Sequence, residues 1–358
     1  MIPVISVTVM AHPSRTVAAE RLLKQLAGGF SSARIAYDPD PDGPRSTVRV
    51  SRLAWVPHDP LATHHLVIQD DVGLQPGFAE SVHHAVGAQP SRWISLACEW
   101  GSRTSWVCRI SANAGRPFGP VVDSYVPTWG LVMPVEHAID VAGYLRKAEL
   151  DKPDDHALAE YIEDREMAPP LITVPNLVTH GELSSLIGND RSLGARGTAL
   201  PANRETPPTW WSRPPLSPEW GAPVMSYYLA SMPFRLREPG VFGYDVSSLR
   251  FPRGEEESLD RAITAAGISL QGSLARSFRR ICLAYVAASE FAYGQCIEEA
   301  DAQFRDGLCR VALATLIPGM LRSFTPSISA ELANQMTIFV QSLLKTHSPV
   351  DNQRRTTA

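Results

Sequence analysis

The sequence lacks the features of several protein classes. It has no run of 18 apolar residues, so it predicts no membrane span. Its five cysteines are scattered over 358 residues, which favours reduced thiols over a disulfide framework or a zinc site. The net charge of −4 indicates no basic surface for nucleic acid. The first nine residues contain no basic segment and no cleavage site, so we expect no secretory signal and a cytoplasmic location.

Proline, by contrast, is abundant, with 30 residues that are densest between 189 and 223. This stretch has little periodicity and predicts a linker or a loop that wraps over another surface, with Trp210, Trp211 and Trp220 as packing anchors. The high alanine, arginine and proline content is typical of proteins from GC-rich bacteria. We therefore predict four segments: a catalytic domain at 1–188, a linker or wrapping loop at 189–254, a helical region at 255–346 and a disordered tail at 347–358.

The first 188 residues alternate between strand and helix patterns, which predicts an α/β fold with a mixed, mostly parallel sheet flanked by helices. Strands are expected at 4–9, 34–37, 66–70, 93–98 and 171–174, and extended segments at 106–110 and 125–133. Helices are expected at 17–26, 78–87, 135–150 and 154–166, the first capped by Ser14 or Thr16. Beyond 255 the pattern is helical, and the wholly apolar stretch 281–288 predicts a central helix of a small bundle.

Two adjacent carboxylates, Asp70 and Asp71, follow the apolar residues Leu66 to Ile68. Such a run predicts a strand that is buried on both faces, and acids that follow it would lie at the carboxyl edge of the sheet, where α/β folds bind ligands. Two neighbouring negative charges require a positive partner. A divalent metal is the usual one, because hard cations take oxygen ligands and bind a substrate's phosphates as well.

Three further features could lie at the same edge: the acid pair Asp154 and Asp155 at a helix start, the late histidine His180, and the glycine-containing loop 127–130. Asp71 and His180 would then bind one metal, and Asp154 or Asp155 would act as a general base. Each feature also has a structural interpretation. The acid pair suits a helix N-terminus, and His180 suits a core or loop position with its hydrogen bonds satisfied.

In this order the residues resemble a glycosyltransferase of the GT-A fold, closest to the Glu-Asp-Asp-Val form of family 25-like enzymes, with Gln69 in place of the glutamate. The resemblance covers residues 1–190. It implies a nucleotide-sugar donor, with a UDP-sugar favoured, and Mn²⁺ or Mg²⁺ held by Asp71 and His180, with Asp155 as the base and Asp154 beside it. It also implies a set of donor-binding residues: Ala11, His12, Arg15, Asp38, Gln69, Asp70, Trp129 and Gly130.

We therefore expect a glycosyltransferase that moves a sugar to a hydroxyl of a glycan or small-molecule acceptor, with inversion if Asp155 is the base and retention if no base acts there. A metal-dependent phosphohydrolase or nucleotidyltransferase also uses paired carboxylates at strand ends. A non-enzymatic interaction scaffold is the third interpretation. The C-terminal helices either cover the acceptor site or form a homodimer contact.

Overall fold

The computed structural model describes residues 3–181, 197–217, 253–294, 301–321, 324 and 328–347. The chain forms two compact units. The first consists of Met1–Cys98, Asp123–Gly188 and Pro201–Arg213, and the second of Glu99–Val122, Asn189–Leu200 and Pro214–Ala358. The sequence analysis placed residues 99–122 in the domain 1–188, whereas in the structure they belong to the unit that contains the C-terminal helices.

A mixed sheet forms the centre of the first unit, as expected. Within the described residues the strands are β1 (Ile5–Ala11), β2 (Ser32–Tyr37), β3 (His64–Gln69), β4 (Val72–Leu74), β5 (Ile94–Ser95), β6 (Phe118–Pro120), β7 (Gly130–Pro134), β8 (Leu171–Thr173) and β9 (Val178–His180). Six of them lie in the first unit's sheet in the order β2-β1-β3-β7-β5-β8, and only β7 runs antiparallel to its neighbours. β4 and β9 form a separate antiparallel pair.

Five helices flank this sheet: α1 (Thr16–Leu26), α2 (Thr47–Ala54), α3 (Phe78–Ala88), α5 (Val135–Leu145) and α6 (Asp154–Asp164). The fold class predicted from the sequence, an α/β domain with flanking helices, is confirmed at this level. The predicted cap of α1 is wrong. Arg15 occupies the N-cap position without a side-chain hydrogen bond, because Pro13–Arg15 form a 3-10 turn that leads directly into α1.

Four C-terminal helices belong to the second unit: α7 (Arg253–Ala265), α8 (Gly272–Gly294), α9 (Ala302–Met320) and α10 (Ala330–His347). Helix α8 buries Ile281, Cys282, Ala284, Tyr285 and Ala288, and it contacts α4 (Arg103–Asn113), α7 and α10. The central position predicted for this apolar stretch is therefore confirmed.

The extended segment predicted at 106–110 is wrong, since these residues lie inside α4. Every residue of α4 is buried, so the helix shows none of the one-sided periodicity that identifies an amphipathic helix. Its start is marked by Ser102, whose side chain accepts a hydrogen bond from the Ser105 backbone N–H at 3.0 Å. Arg109 is fully buried there and donates hydrogen bonds to backbone carbonyls of α9.

Part of the proline-rich stretch is packed rather than extended. Trp210 and Trp211 lie in a short 3-10 helix, Pro208–Ser212, and both are fully buried. The indole N–H of Trp210 donates to the carbonyl of Val174. These two tryptophans anchor the segment, as predicted. Trp220 and residues 348–358 of the predicted tail lie outside the described residues. None of the helices described here has the length and apolar character needed to cross a membrane.

A histidine is buried in the middle of the sheet. His65 on β3 is inaccessible to solvent, and its Nε2 lies 2.8 Å from the Ala54 carbonyl oxygen. Because a carbonyl only accepts, Nε2 carries the hydrogen, and Nδ1 accepts from the Ser6 hydroxyl at 2.7 Å. Burial lowers the pKa of His65 from 6.5 to about 4.

We expect His65 to make the fold sensitive to acid. Its folded-state pKa lies below the unfolded value, so the stability it contributes is present above pH 6.5 and is lost as the pH falls towards 4. The free energy of unfolding should drop by roughly 3 kcal/mol from this group alone. Urea unfolding of the protein and of His65→Gln, followed from neutral to acidic pH, measures the difference. Identical pH dependence in the two proteins would contradict this assignment.

Candidate functional site at the carboxyl end of β1 and β3

Strands β1 and β3 are parallel neighbours that pair Met10 with Gln69, so the residues that follow them meet at one edge of the sheet. Asp70 and Asp71 follow β3, and the turn that contains His12 and Arg15 follows β1. The register of this single strand pair therefore brings the predicted acid pair and the predicted nucleotide-binding loop together.

Arg15 supplies the positive charge that the acid pair requires. Its Nη1 lies 2.9 Å from Asp70 Oδ1 and 2.9 Å from Asp71 Oδ2. The second oxygen of Asp70 accepts from the His12 backbone N–H at 2.9 Å. From the sequence, the balancing role was expected of a metal, and Arg15 was expected among the donor-binding residues. In the structure Arg15 itself is the counter-ion of both carboxylates.

Burial and ion pairing shift the pKa values of Asp70 and Arg15 in opposite directions. Burial raises the pKa of Asp70, while the His12 N–H and Arg15 partly offset this effect. Burial lowers the pKa of Arg15, but its hydrogen bonds and charge interactions with Asp70 and Asp71 outweigh that effect and raise the pKa overall. The guanidinium therefore stays charged, and the acid pair with Arg15 carries about one net negative charge when both carboxylates are ionised.

His180 faces Asp71 from the β4–β9 pair, in which Val72 is opposite His180. Its Nε2 lies 3.7 Å from Asp71 Oδ2, and its Nδ1 lies 2.7 Å from the Gly181 carbonyl oxygen. Since the carbonyl only accepts, Nδ1 carries the hydrogen, and in the neutral ring Nε2 presents a lone pair towards the carboxylate. His180 Nε2 and the Asp71 carboxylate therefore face each other across 3.7 Å.

Asp71 also has an unsatisfied atom. Its Oδ1 is buried and has no hydrogen-bond partner within the part of the chain that the structure describes. A buried carboxylate oxygen without a partner is costly. A cation held by the Asp71 carboxylate with His180 as a second ligand would satisfy that oxygen, because Mn²⁺ and Mg²⁺ accept oxygen and imidazole ligands.

Asp71 and His180 fit a cation whose remaining coordination positions are filled by a bound ligand and water. Among the described residues, no group of three or more His, Cys, Asp or Glu side chains is placed to hold a metal ion. Asp71 and His180 offer two donors. Magnesium-type sites are commonly built in this way, from one or two protein ligands together with water and substrate phosphates. The metal site at Asp71 and His180 therefore stays a prediction, and the chemistry of these two side chains fits it.

An aromatic ring lies beside this pair. The ring of Trp129 is 5.0 Å from that of His180, centroid to centroid, at an angle of 57°. The Trp129 carbonyl accepts from the Gln69 backbone N–H at 3.1 Å, and the Gln69 side-chain amide donates to the Thr128 hydroxyl at 3.1 Å. The expected loop thus lies against the acid pair, with Trp129 next to the histidine.

Three other predicted donor-binding residues, Gly130, Asp38 and Ala11, have structural partners. A Cβ at Gly130 would lie 3.2 Å from Leu96 Cδ1, so close packing is sufficient reason for a glycine there. Arg49 holds both oxygens of Asp38, at 2.6 Å and 2.8 Å, and lowers the pKa of that carboxyl. The carbonyl of Ala11, which is buried, accepts from the Asp38 backbone N–H at 2.9 Å. A nucleoside contact by Asp38 would have to compete with Arg49.

The two residues of the second acid pair, Asp154 and Asp155, lie in different environments. Asp154 is buried, and its backbone N–H donates to the Thr47 hydroxyl of α2 at 2.9 Å, which indicates a structural position. Asp155 is half-buried, and its Oδ1 accepts from the His156 backbone N–H at 2.8 Å. Burial, followed by the charge of Asp154, raises the pKa of Asp155 to about 7. A carboxylate with this pKa is suited to exchange protons near neutral pH.

The loop before β7 contacts Asp155 at one end and the neighbours of the first acid pair, Gln69 and His180, at the other. At one end, the Val126 backbone N–H donates to the Asp155 carbonyl at 3.1 Å, and at the other Trp129 contacts Gln69 and His180. The described contacts do not join Asp155 directly to Asp70 or Asp71. The structure therefore brings together His12, Arg15, Gln69, Asp70, Asp71, Trp129 and His180, and it connects Asp155 to them through residues 126–129.

Two residues of this region, Gly181 and Arg49, were not predicted from the sequence. Gly181 donates its backbone N–H to the Asp71 carbonyl, and a Cβ at Gly181 would lie only 2.5 Å from that oxygen. A glycine directly after the candidate ligand His180 was the available signal. Arg49, which holds Asp38, lies in α2, where Val48 and Val50 alternate with polar residues in a pattern that suits a strand as well as a helical turn. The partner of Asp38 was therefore not visible in the sequence.

The raised pKa of Asp155 has a measurable consequence for stability. Because the folded-state value lies above the unfolded value of 3.8, the stability contribution is present below about pH 3.8 and is lost as the pH rises through about 7. Asp155→Asn, which mimics the neutral acid, should be more stable than the unmodified protein above pH 7, on the order of 1–2 kcal/mol. The advantage should disappear near pH 4. Urea unfolding at both pH values tests this.

The exposed Asp151, just before α6, provides the control. Asp151→Asn should show no comparable gain in stability above pH 7, since this side chain is exposed to solvent. An equal stability difference for Asp155→Asn at both pH values would show that Asp155 titrates normally.

Comparison with known proteins adds no assignment to this geometry. No protein-family model matches the chain, and no curated protein matches its sequence.

Proposed function

We propose that the first unit is a glycosyltransferase that uses a nucleotide-sugar, preferably a UDP-sugar, as donor and a hydroxyl group as acceptor. The observation that carries this proposal is the arrangement at Asp71. Oδ1 of this buried carboxylate has no partner among the described residues, Oδ2 lies 3.7 Å from His180 Nε2, and the Trp129 ring lies beside His180. This arrangement suits a divalent cation together with a phosphate-bearing ligand that has a flat, apolar face.

The donor would be held by groups of different chemistry. Asp71 and His180 would hold a Mn²⁺ or Mg²⁺ ion, which when bound neutralises the charge that develops on the leaving diphosphate. Trp129 offers an aromatic face for a sugar ring. Gln69, in the position where the GT-A resemblance expects an acid, offers an amide oxygen for a hydroxyl, while its amide nitrogen is held by Thr128.

Asp155 is the proposed base. It takes the proton from the acceptor hydroxyl, whose oxygen forms a bond to the anomeric carbon while the bond from that carbon to the diphosphate oxygen breaks. Attack from the side opposite the leaving group inverts the configuration at that carbon. A pKa of about 7 suits this role, because the carboxylate is partly ionised at neutral pH and still basic enough to accept the proton.

Two substitutions separate binding from chemistry. Asp71→Asn should weaken the binding of UDP with Mn²⁺ and abolish transfer, because it removes the charge that faces the cation. Asp155→Asn should leave UDP binding unchanged and lower the transfer rate by roughly 10²- to 10⁴-fold. Calorimetric titration of UDP with Mn²⁺ and product analysis with UDP-sugars measure the two effects.

Asp151→Asn serves again as the matched control and should retain both binding and turnover. Normal turnover by Asp155→Asn would eliminate that residue as the base, and analysis of the product's anomeric configuration would then test for retention. If UDP, GDP and dTDP sugars all fail to bind with Mn²⁺, the glycosyltransferase proposal is wrong. Nucleotide release without sugar transfer would instead indicate a hydrolase.

A further inference from the structure

Arg15 and a cation would bind the same carboxylate. Arg15 Nη1 contacts Asp71 Oδ2 at 2.9 Å, and His180 Nε2 approaches that same oxygen to 3.7 Å from another element. A cation bound by Asp71 and His180 would therefore lie within a few ångströms of a guanidinium that is permanently charged. Two positive charges at that separation repel each other strongly, because the surroundings are largely shielded from water.

Asp70 and Asp71, which both contact Arg15, differ in how many of their oxygens have other partners. Asp70 is fixed on its other side, where Oδ2 accepts the His12 backbone N–H, so both of its oxygens are occupied. Asp71 has one occupied oxygen and one buried oxygen without a partner among the described residues. Asp70 is therefore the anchor of Arg15, whereas Asp71 is the carboxylate that a competing cation can take over.

We propose that Arg15 is an internal counter-ion that a divalent cation displaces from Asp71, and that the freed guanidinium then binds the phosphate groups of the ligand. This inference rests on the cation site of the proposed function. Without the cation, Arg15 neutralises the acid pair and allows it to be buried. When the cation arrives, Arg15 turns about its contact with Asp70, and the cation and the guanidinium together provide positive charge for a diphosphate. Binding is consequently ordered, with the cation before the nucleotide.

Arg15→Gln tests the competition directly, without any measurement of activity. The variant removes the competing charge but keeps a hydrogen-bonding side chain, so Mn²⁺ alone should bind about tenfold more tightly than to the unmodified protein. Calorimetry of the full chain with Mn²⁺ measures this affinity. Arg21→Gln is the matched control, since it makes the same change in net charge at an exposed position of α1 and should leave Mn²⁺ affinity unchanged.

Thermal unfolding supplies a second readout that remains informative if Arg15→Gln folds poorly. The variant leaves two buried carboxylates without their counter-ion, so its melting temperature should be lower, and Mn²⁺ should restore it by more than it raises that of the unmodified protein. Adding Asp71→Asn to Arg15→Gln should remove the extra response to Mn²⁺. An equal Mn²⁺ response in the single variant and the unmodified protein would overturn the proposal.

A crystal structure with Mn²⁺ distinguishes displacement from a general effect of charge. Displacement requires the distance between Arg15 Nη1 and Asp71 Oδ2 to increase beyond hydrogen-bonding range while the contact with Asp70 is kept. Mn²⁺ bound at Asp71 with both Arg15 contacts intact would disprove the inference but leave the proposed function in place. If neither protein binds Mn²⁺ in the calorimeter, the cation site itself is wrong, and this inference fails with it.

Discussion

One guanidinium allows two adjacent carboxylates to be buried at the end of β3. The side chains of Asp70 and Asp71 are only 7% and 11% exposed, and the loss of hydration makes two such charges costly unless each has a partner. Arg15 contacts both, and the His12 backbone N–H holds the remaining oxygen of Asp70. When both carboxylates are ionised, one guanidinium balances only one of the two negative charges, so the acid pair can attract a further positive charge.

The rest of the site depends on how the fold positions Arg15. Parallel pairing of β1 with β3 places the turn after β1 beside the acids, and the 3-10 turn at Pro13–Arg15 directs the side chain towards them. The β4–β9 pair then brings His180 to the same oxygen of Asp71 that Arg15 contacts. Gly181 permits this approach, because a side chain at that position would collide with the Asp71 carbonyl.

Much of the first unit could be predicted because its periodic signals were strong. The apolar run of β3, the helices that start at Thr16 and Asp154, and the acid pair at a strand end all follow from local patterns. α4 was missed for the converse reason. A helix that is buried on every side shows no polar face, and its tryptophan, valine and isoleucine have the composition of a strand. Asp38 and Gly130 were predicted to bind the donor, but Asp38 is held by Arg49 and Gly130 packs against Leu96. No local sequence pattern could indicate these two neighbours.

The sequence alone determined the fold class of the first unit, the helical character of the C-terminal region and the position of the acid pair at a sheet edge. These properties depend on residues close together in the chain, through hydrophobic periodicity and strand composition. Only the tertiary structure decided that Arg15 is the counter-ion of Asp70 and Asp71, that Oδ1 of Asp71 has no partner among the described residues, and that His180 lies beside the other oxygen, Oδ2. These contacts join residues more than 50 positions apart. They follow from strand register and side-chain direction, which local sequence patterns do not encode.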